Sequence, residues 1–159
     1  MTDDEIRDLL WARRGVICAV GTGGKKSTLY NLLARHPAPV ALTATVFTER
    51  FPDDLRLTSV IAEESRLRSR LASLIEVDRI GLAAPSDKPG RYSGIAAELV
   101  SRLHARTGRE ATFVKADGAR MRVIKAPKDD EPVFPPGCST LLCMSSAQAL
   151  HIACNTSLP

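Results

Sequence analysis

VICAVGTGGKKST, residues 16–28, joins an apolar run to a glycine-rich turn, a lysine and the start of a helical pattern. The apolar residues 16–20 predict a buried strand, and residues 26–35 predict the helix that follows it. Glycines let backbone N–H groups approach an anion closely, and a helix N-terminus favours negative charge. The stretch therefore predicts a phosphate-binding loop in which Lys25 supplies a positive charge for phosphate oxygens. The predicted cofactor-binding residues are Gly21, Thr22, Gly23, Gly24, Lys25, Lys26, Ser27 and Thr28.

The spacing of this loop differs from the commonest P-loop pattern, G-x-x-x-x-G-K-[ST]. Only two residues separate Gly21 from Gly24, and Lys26 stands where a metal-binding hydroxyl normally follows the lysine. An ammonium group cannot coordinate Mg²⁺, so Ser27 is the candidate ligand in its place. The shorter spacing resembles the loop of ATP-dependent amide ligases of the cell-wall pathway, although their large substrate domains have no counterpart in 159 residues. A glycine-rich turn that binds nothing is the structural alternative.

Length and composition favour a single globular domain over residues 1–159. Apolar residues make up 44% of the chain, and no apolar run approaches the roughly 20 residues of a membrane span. The acidic N-terminus lacks the apolar region of a signal peptide, so we expect a cytoplasmic protein without a membrane partner. A net charge of +4, scattered along the chain, suits anionic small molecules and disfavours nucleic acid as a ligand.

Strand and helix patterns alternate along the chain. Thr2 and Glu5 have the spacing of a capping box at the start of a helix. The patterns predict helices over 3–12, 26–35, 63–75 and 94–106, strands over 15–20, 39–46, 78–84, 111–117 and 140–144, loops over 48–54, 85–90 and 119–137, and a helix start in 145–154. This order predicts an α/β fold, three-layered, with a mainly parallel sheet and flanking helices, similar to P-loop NTPases.

Polar residues follow two further strands, and in a parallel sheet these strand ends meet the glycine loop. Thr45 ends the second predicted strand, and Asp117 ends the fourth, where a Walker-B-like carboxylate would act on Mg²⁺. The predicted metal ligands are therefore Ser27, Thr45 and Asp117, and the predicted catalytic residues are Lys25 and Asp117. Threonine also simply suits a strand, and Asp-Gly is a common turn pair, so structural roles stay open.

The cysteines and histidines form no pattern of their own. The four cysteines have neither C-x-x-C nor zinc-ligand spacing, so we expect free thiols, with Cys18 in the core. His36, His104 and His151 have no partner motif and are interpreted as surface or packing residues.

Four motifs together resemble one family. These are VGTGGK at 20–25, TAT at 43–45, ADGAR at 116–120 and KAP…EPV between 125 and 133. The combination is similar to the YqeC-like accessory proteins of selenium-dependent molybdenum hydroxylases. The resemblance implies a P-loop-type fold that binds ATP or GTP and a role in maturing such a hydroxylase, with the hydroxylase or another maturation factor as partner. It also implies that Lys125 and Glu131 belong to a signature loop of unknown role.

The chain departs from that family pattern at two cationic positions. Lys26 replaces a threonine or serine, and Lys115 replaces the glutamate of E-A-D-G-A. We hypothesise that the two ammonium groups displace Mg²⁺, which leaves nucleotide binding with weak or no hydrolysis. The alternative is a non-catalytic P-loop scaffold that binds a maturation partner. The resemblance further implies a longer C-terminal part, so we expect that part of the site to be missing from these 159 residues.

Overall fold

The computed structural model describes residues 1–37, 39–118, 129 and 131–147. Its helices are α1 (Asp3–Leu9), α2 (Lys25–Ala34), α3 (Glu64–Arg70) and α4 (Ala97–Arg106). Its strands are β1 (Gly15–Gly21), β2 (Val40–Ala44), β3 (Thr48–Glu49), β4 (Thr58–Ile61), β5 (Arg79–Ala83), β6 (Arg91–Tyr92), β7 (Ala111–Lys115) and β8 (Cys138–Met144). Two short 3-10 helices cover Asp53–Leu55 and Leu71–Leu74.

Six of the strands form one parallel sheet in the order β4-β5-β2-β7-β1-β8. Helices cover both faces of this sheet. One apolar cluster joins the sheet to Leu67 of α3 and Leu99 of α4, and the other joins it to Leu29 and Leu33 of α2. The predicted α/β fold, with a parallel sheet between two helical layers, is therefore confirmed, whereas its likeness to P-loop NTPases stays a prediction.

Strand β1 lies between β7 and β8 and is buried along most of its length. Its Cα register pairs Ala19 with Lys115 on β7 and with Leu142 on β8. All three strands run in the same direction, so their carboxyl ends meet at one edge of the sheet. The sheet thereby brings Gly21, Asp117 and Met144 next to one another, although 96 residues separate the first two in sequence.

The prediction missed three short strands. β4 pairs in parallel with β5 at the edge of the sheet, and only Val60 of its four residues is buried. β3 and β6 form a two-stranded antiparallel ribbon in segments without a strand pattern, and β3 lies in the predicted loop 48–54. Elements this short depend on distant partners, so local periodicity cannot reveal them.

Three predicted helices are shorter in the structure. The segment predicted over 63–75 changes to a 3-10 helix after Arg70. The helix predicted from residue 94 starts at Ala97, because the segment before it bonds to the sheet: the Ser93 N–H donates to the Ala84 carbonyl and the Ile95 N–H to the Ala44 carbonyl, both at 2.9 Å. The capping box at Thr2 and Glu5 is confirmed, but α1 ends at Leu9 instead of residue 12. The helix start predicted in 145–154 lies mostly outside the described residues.

Arg109 is a buried residue that no sequence pattern singled out. It is 4% exposed, and its guanidinium donates to the carbonyl oxygens of Leu74 (3.2 Å), Ile75 (2.6 Å) and Thr107 (2.8 Å from Nη2). Burial lowers its pKa. The five donors of arginine suit this arrangement, in which carbonyls at the ends of two helical segments are satisfied by one side chain.

The described cysteines are free thiols, and Cys18 is fully buried, as predicted. Cys154 and His151 lie outside the described residues. His36 is buried and its Nε2 lies 2.9 Å from the Arg13 carbonyl oxygen, which fits a packing role. None of the helices in the described part of the chain is long and apolar enough to cross a membrane.

His104 gives the fold a pH dependence. Its Nδ1 lies 3.0 Å from the Thr112 hydroxyl, and burial lowers its pKa below the usual 6.5. Because the folded state favours the neutral imidazole, this contribution is present above pH 6.5 and is lost as the pH falls from there towards the folded-state pKa. We expect the urea midpoint to fall more steeply between pH 7.5 and 5.5 for the wild type than for His104→Gln, which has no imidazole to protonate on unfolding. Equal slopes would contradict this.

Candidate functional site

The glycine loop connects β1 to α2 through three residues with positive φ. Gly21 has φ +98°, Gly23 has +70° and Gly24 has +73°, a region that L-residues with side chains rarely adopt. Gly24 is the N-cap of α2 and provides no side chain to bond the first turn. The loop therefore needs its glycines for backbone conformation, and α2 begins with backbone N–H groups that no capping side chain satisfies.

Strand β8 fixes the glycine loop from one side. The Thr22 N–H donates to the Met144 carbonyl at 2.8 Å, and Thr22 is 2% exposed. A Cβ on Gly21 would lie 2.0 Å from the Met144 oxygen, and one on Gly23 would lie 3.3 Å from the Ser146 Cβ. The close approach of β8 thus gives a second reason, besides φ, for glycine at position 21.

Lys25 lies buried behind the loop. Its side chain is 4% exposed, and Nζ forms an ion pair with Asp117 Oδ1 at 2.7 Å while also donating to the Gly21 carbonyl oxygen. The other carboxylate oxygen of Asp117 accepts a 2.8 Å hydrogen bond from the Gly21 N–H. Asp117 therefore binds both the Gly21 N–H at the start of the loop and the Lys25 ammonium. We call Lys25 and Asp117 together the Lys25–Asp117 pair.

The segment Glu131–Val133 lies across the ends of two strands. Glu131 Oε2 accepts from the Gly118 N–H at 3.2 Å, and the Val133 N–H donates to the Ala116 carbonyl at 3.0 Å. The Thr45 hydroxyl donates to the Val133 carbonyl at 2.7 Å. Two segments that the sequence singled out separately, one after β2 and one near residue 131, are thus joined at the site.

A cavity of about 360 Å³ opens beside this arrangement. It lies between the ends of β1, β7 and β8. It is lined by residues at the ends of β1 and β8, by Asp117 after β7 and by the start of the segment Glu131–Val133: Val20, Gly21, Asp117, Glu131, Pro132, Cys143, Met144 and Ser145. The cavity therefore reaches Asp117 from the β8 side of the loop.

Lys115 is the second lysine near the strand ends. It is half-buried at the end of β7, and its ammonium donates to the Phe47 carbonyl oxygen. Burial, followed by the positive charge of Lys25, lowers its pKa to about 8, while Asp117 and Glu131 oppose the change. Lys115 pairs in register with Ala19 of β1, two residues before Gly21, so it lies beside the strand that leads into the glycine loop.

The remaining predicted site residues lie elsewhere. Lys26 forms an ion pair with Glu49 of β3, on the surface of the molecule. Ser27 and Thr28 line a different cavity of about 270 Å³, together with Ile6 and Leu10 of the α1 segment. The structure thus brings Gly21, Lys25 and Asp117 into direct contact and directs Lys26, Ser27 and Thr28 to other neighbours. Lys125 lies outside the described residues.

Sequence reasoning missed the contribution of β8 to the loop and the pairing of Lys26 with Glu49. No local sequence pattern indicates either contact, because Met144 and Glu49 approach the loop and its helix only when the strands pair. Among the described residues, no group of three or more His, Cys, Asp or Glu side chains could hold a metal ion. The roles of Ser27, Thr45 and Asp117 as metal ligands stay predictions.

Comparisons with known proteins give one result. No curated protein and no solved structure matches the chain significantly. The sequence model of the family described as YqeC protein matches residues 17–158, which include the glycine loop, Asp117 and the segment Glu131–Val133. The chain therefore belongs to the YqeC family.

Proposed function

We propose that this protein binds the phosphate groups of ATP or GTP at the Gly21–Lys25 loop, as a cytoplasmic accessory protein in the maturation of a selenium-dependent molybdenum hydroxylase. One observation carries the nucleotide proposal. A buried ammonium, that of Lys25, lies at the N-terminus of α2 between the Gly21 carbonyl and the Asp117 carboxylate. A buried lysine in this position is costly unless it is paired, and here its pairing also holds it beside a glycine loop.

The loop has the chemistry that a phosphate requires. Gly23 and Gly24 have no side chains between the backbone and an approaching ligand, and α2 adds the positive end of its dipole. A phosphate oxygen would compete with the neutral Gly21 carbonyl for the Lys25 ammonium, and a hydrogen bond between two charged groups is the stronger one. Lys25 and Asp117 are accordingly the residues that we assign to any phosphoryl-transfer step.

The accessory role rests on family membership together with the resemblance in the sequence motifs. It makes a molybdenum hydroxylase, or another factor that matures it, the proposed protein partner.

A second candidate function is a non-catalytic P-loop scaffold that binds a maturation partner without hydrolysing ATP. The observation that favours it is the state of Asp117, whose two oxygens are engaged by Gly21 N–H and by the Lys25 ammonium. A carboxylate held in this way is poorly placed to act on a Mg²⁺ ion or its water. Release of phosphate from ATP or GTP by the purified protein would exclude the scaffold, whereas the absence of release agrees with both candidates.

Calorimetric titration with ATP and GTP, with excess Mg²⁺ or with EDTA, tests the nucleotide proposal. We expect binding by the wild type and a loss of about 10- to 100-fold in Lys25→Met, which removes a charge-assisted hydrogen bond. Arg102→Met is the matched control, since it removes one exposed positive charge on α4, and its affinity is expected to stay within about twofold of the wild type.

Lys25→Met also leaves Asp117 buried without its cation, so its folding needs a separate check. The double variant Lys25→Met/Asp117→Asn removes both charges and keeps an acceptor for the Gly21 N–H. We expect it to fold like the wild type and still not to bind. Wild-type protein that binds neither nucleotide, or a folded Lys25 variant that binds normally, contradicts the proposal.

A further inference from the structure

We propose that the ammonium group of Lys115 takes the place of a divalent cation at this site and neutralises the outer phosphate oxygens of the bound nucleotide. The inference rests on the proposed nucleotide site. It adds that nucleotide binding there does not need Mg²⁺. It also separates the roles of two lysines near the glycine loop, Lys26 and Lys115.

The residues predicted to hold Mg²⁺ do not form a fitting donor set. Ser27 faces the cavity between α1 and α2, while the Thr45 hydroxyl donates its hydrogen to the Val133 carbonyl. The two oxygens of Asp117 bind the Gly21 N–H and the Lys25 ammonium. Mg²⁺ needs near-octahedral oxygen ligands, so Asp117 would first have to release a buried lysine before it could bind the ion directly.

Lys115 lies at the edge of the sheet where the phosphates would bind. It is the last residue of β7, paired in register with Ala19 of the neighbouring strand β1, two residues before Gly21. Asp117, whose carboxylate contacts the Lys25 ammonium at 2.7 Å, follows Lys115 by two residues just after the end of the same strand, so the three charged residues lie at one edge of the sheet. A phosphate chain that contacts Lys25 would therefore extend into the field of the Lys115 ammonium.

The Lys115 ammonium can donate a hydrogen bond to a phosphate oxygen. Its bond in the structure is to a neutral acceptor, the Phe47 carbonyl, and an ammonium group carries three donors. A phosphate oxygen would form a stronger, charge-assisted bond than that carbonyl. Lys26 differs, because the carboxylate of Glu49 already balances its charge on the surface.

The experiment compares ATP and GTP affinities in excess Mg²⁺ and in EDTA for the wild type and two Lys115 variants. We expect wild-type affinities in the two conditions to agree within about twofold, and Lys115→Met to bind at least about tenfold more weakly in EDTA. Lys115→Arg keeps the positive charge and is expected to keep metal-independent binding. Thermal unfolding of each variant verifies that the fold is intact.

Lys88→Met is the matched control. The Lys88 ammonium lies 3.9 Å from the centre of the Phe47 ring, so this variant removes the same charge near the same residue that anchors Lys115. We expect its affinity in EDTA to match the wild type, and a loss equal to that of Lys115→Met would overturn the proposal. Wild-type binding that requires Mg²⁺ overturns this inference alone, whereas no binding in either condition overturns the proposed function with it.

Discussion

Asp117→Ala is expected to lower the free energy of unfolding by about 3–5 kcal/mol, the usual cost of removing one partner of a buried ion pair. The Lys25–Asp117 pair has side-chain exposures of 4% and 8%, so the substitution would leave the lysine in a poorly solvated position beside the neutral Gly21 carbonyl. It also removes the acceptor of the Gly21 N–H. Urea unfolding followed by circular dichroism measures the effect.

Two further variants separate charge from packing in this prediction. Lys25→Met/Asp117→Asn removes both charges, keeps the side-chain volume and an acceptor for the Gly21 N–H, and is expected to recover most of the loss. Asp8→Ala breaks an ion pair with Arg13 on the exposed surface and is expected to change stability little. A single-variant loss below about 1 kcal/mol would mean that Lys25 reaches solvent when Asp117 is absent.

Gly21→Ala is expected to disrupt the contact between β1 and β8 and to cost about 4 kcal/mol or more, a size that marks strain or broken packing. Two causes act together. The φ of +98° disfavours any residue with a Cβ, and that Cβ would lie 2.0 Å from the Met144 carbonyl oxygen, which is backbone. Either β8 or the glycine loop must move, so we also expect nucleotide binding to be lost.

Gly90→Ala provides the matched control for backbone conformation alone. Gly90 has φ +69°, and a Cβ added there would meet nothing within 4 Å. Its expected cost is therefore only the conformational part, about 1–2 kcal/mol. Urea unfolding measures the loss of stability in both variants, and amide hydrogen exchange measures whether β8 stays protected. Equal losses in Gly21→Ala and Gly90→Ala would show that β8 adapts to the added methyl group.

The sequence alone was sufficient for the main elements of the sheet and for the position of Gly21, Lys25 and Asp117 at one edge of it. The apolar runs of β1, β2, β5 and β7 predict buried strands, because strands covered on both faces are apolar along their whole length. Glycine, lysine and aspartate at strand ends predict that Gly21, Lys25 and Asp117 meet, because parallel strands end at a common edge. The structure has all three in direct contact.

Other features depended on contacts between distant parts of the chain. Short β4 owes its conformation to hydrogen bonds with β5, and the two-residue strands β3 and β6 owe theirs to each other. The same holds for the late start of α4, since the Ile95 N–H just before it bonds to the Ala44 carbonyl of β2. No local pattern carries this information.

The charged residues of the site show most clearly what the sequence determines and what tertiary contacts decide. The sequence determined which ionisable groups lie near the loop, through the spacing of Lys25, Lys26, Lys115 and Asp117 from their strands and helix. Only the tertiary structure decided their partners: Asp117 for Lys25, Glu49 for Lys26 and the Phe47 carbonyl for Lys115. The physical reason is that the energy of a charge depends on burial and on neighbours within a few ångströms, and folding alone supplies both.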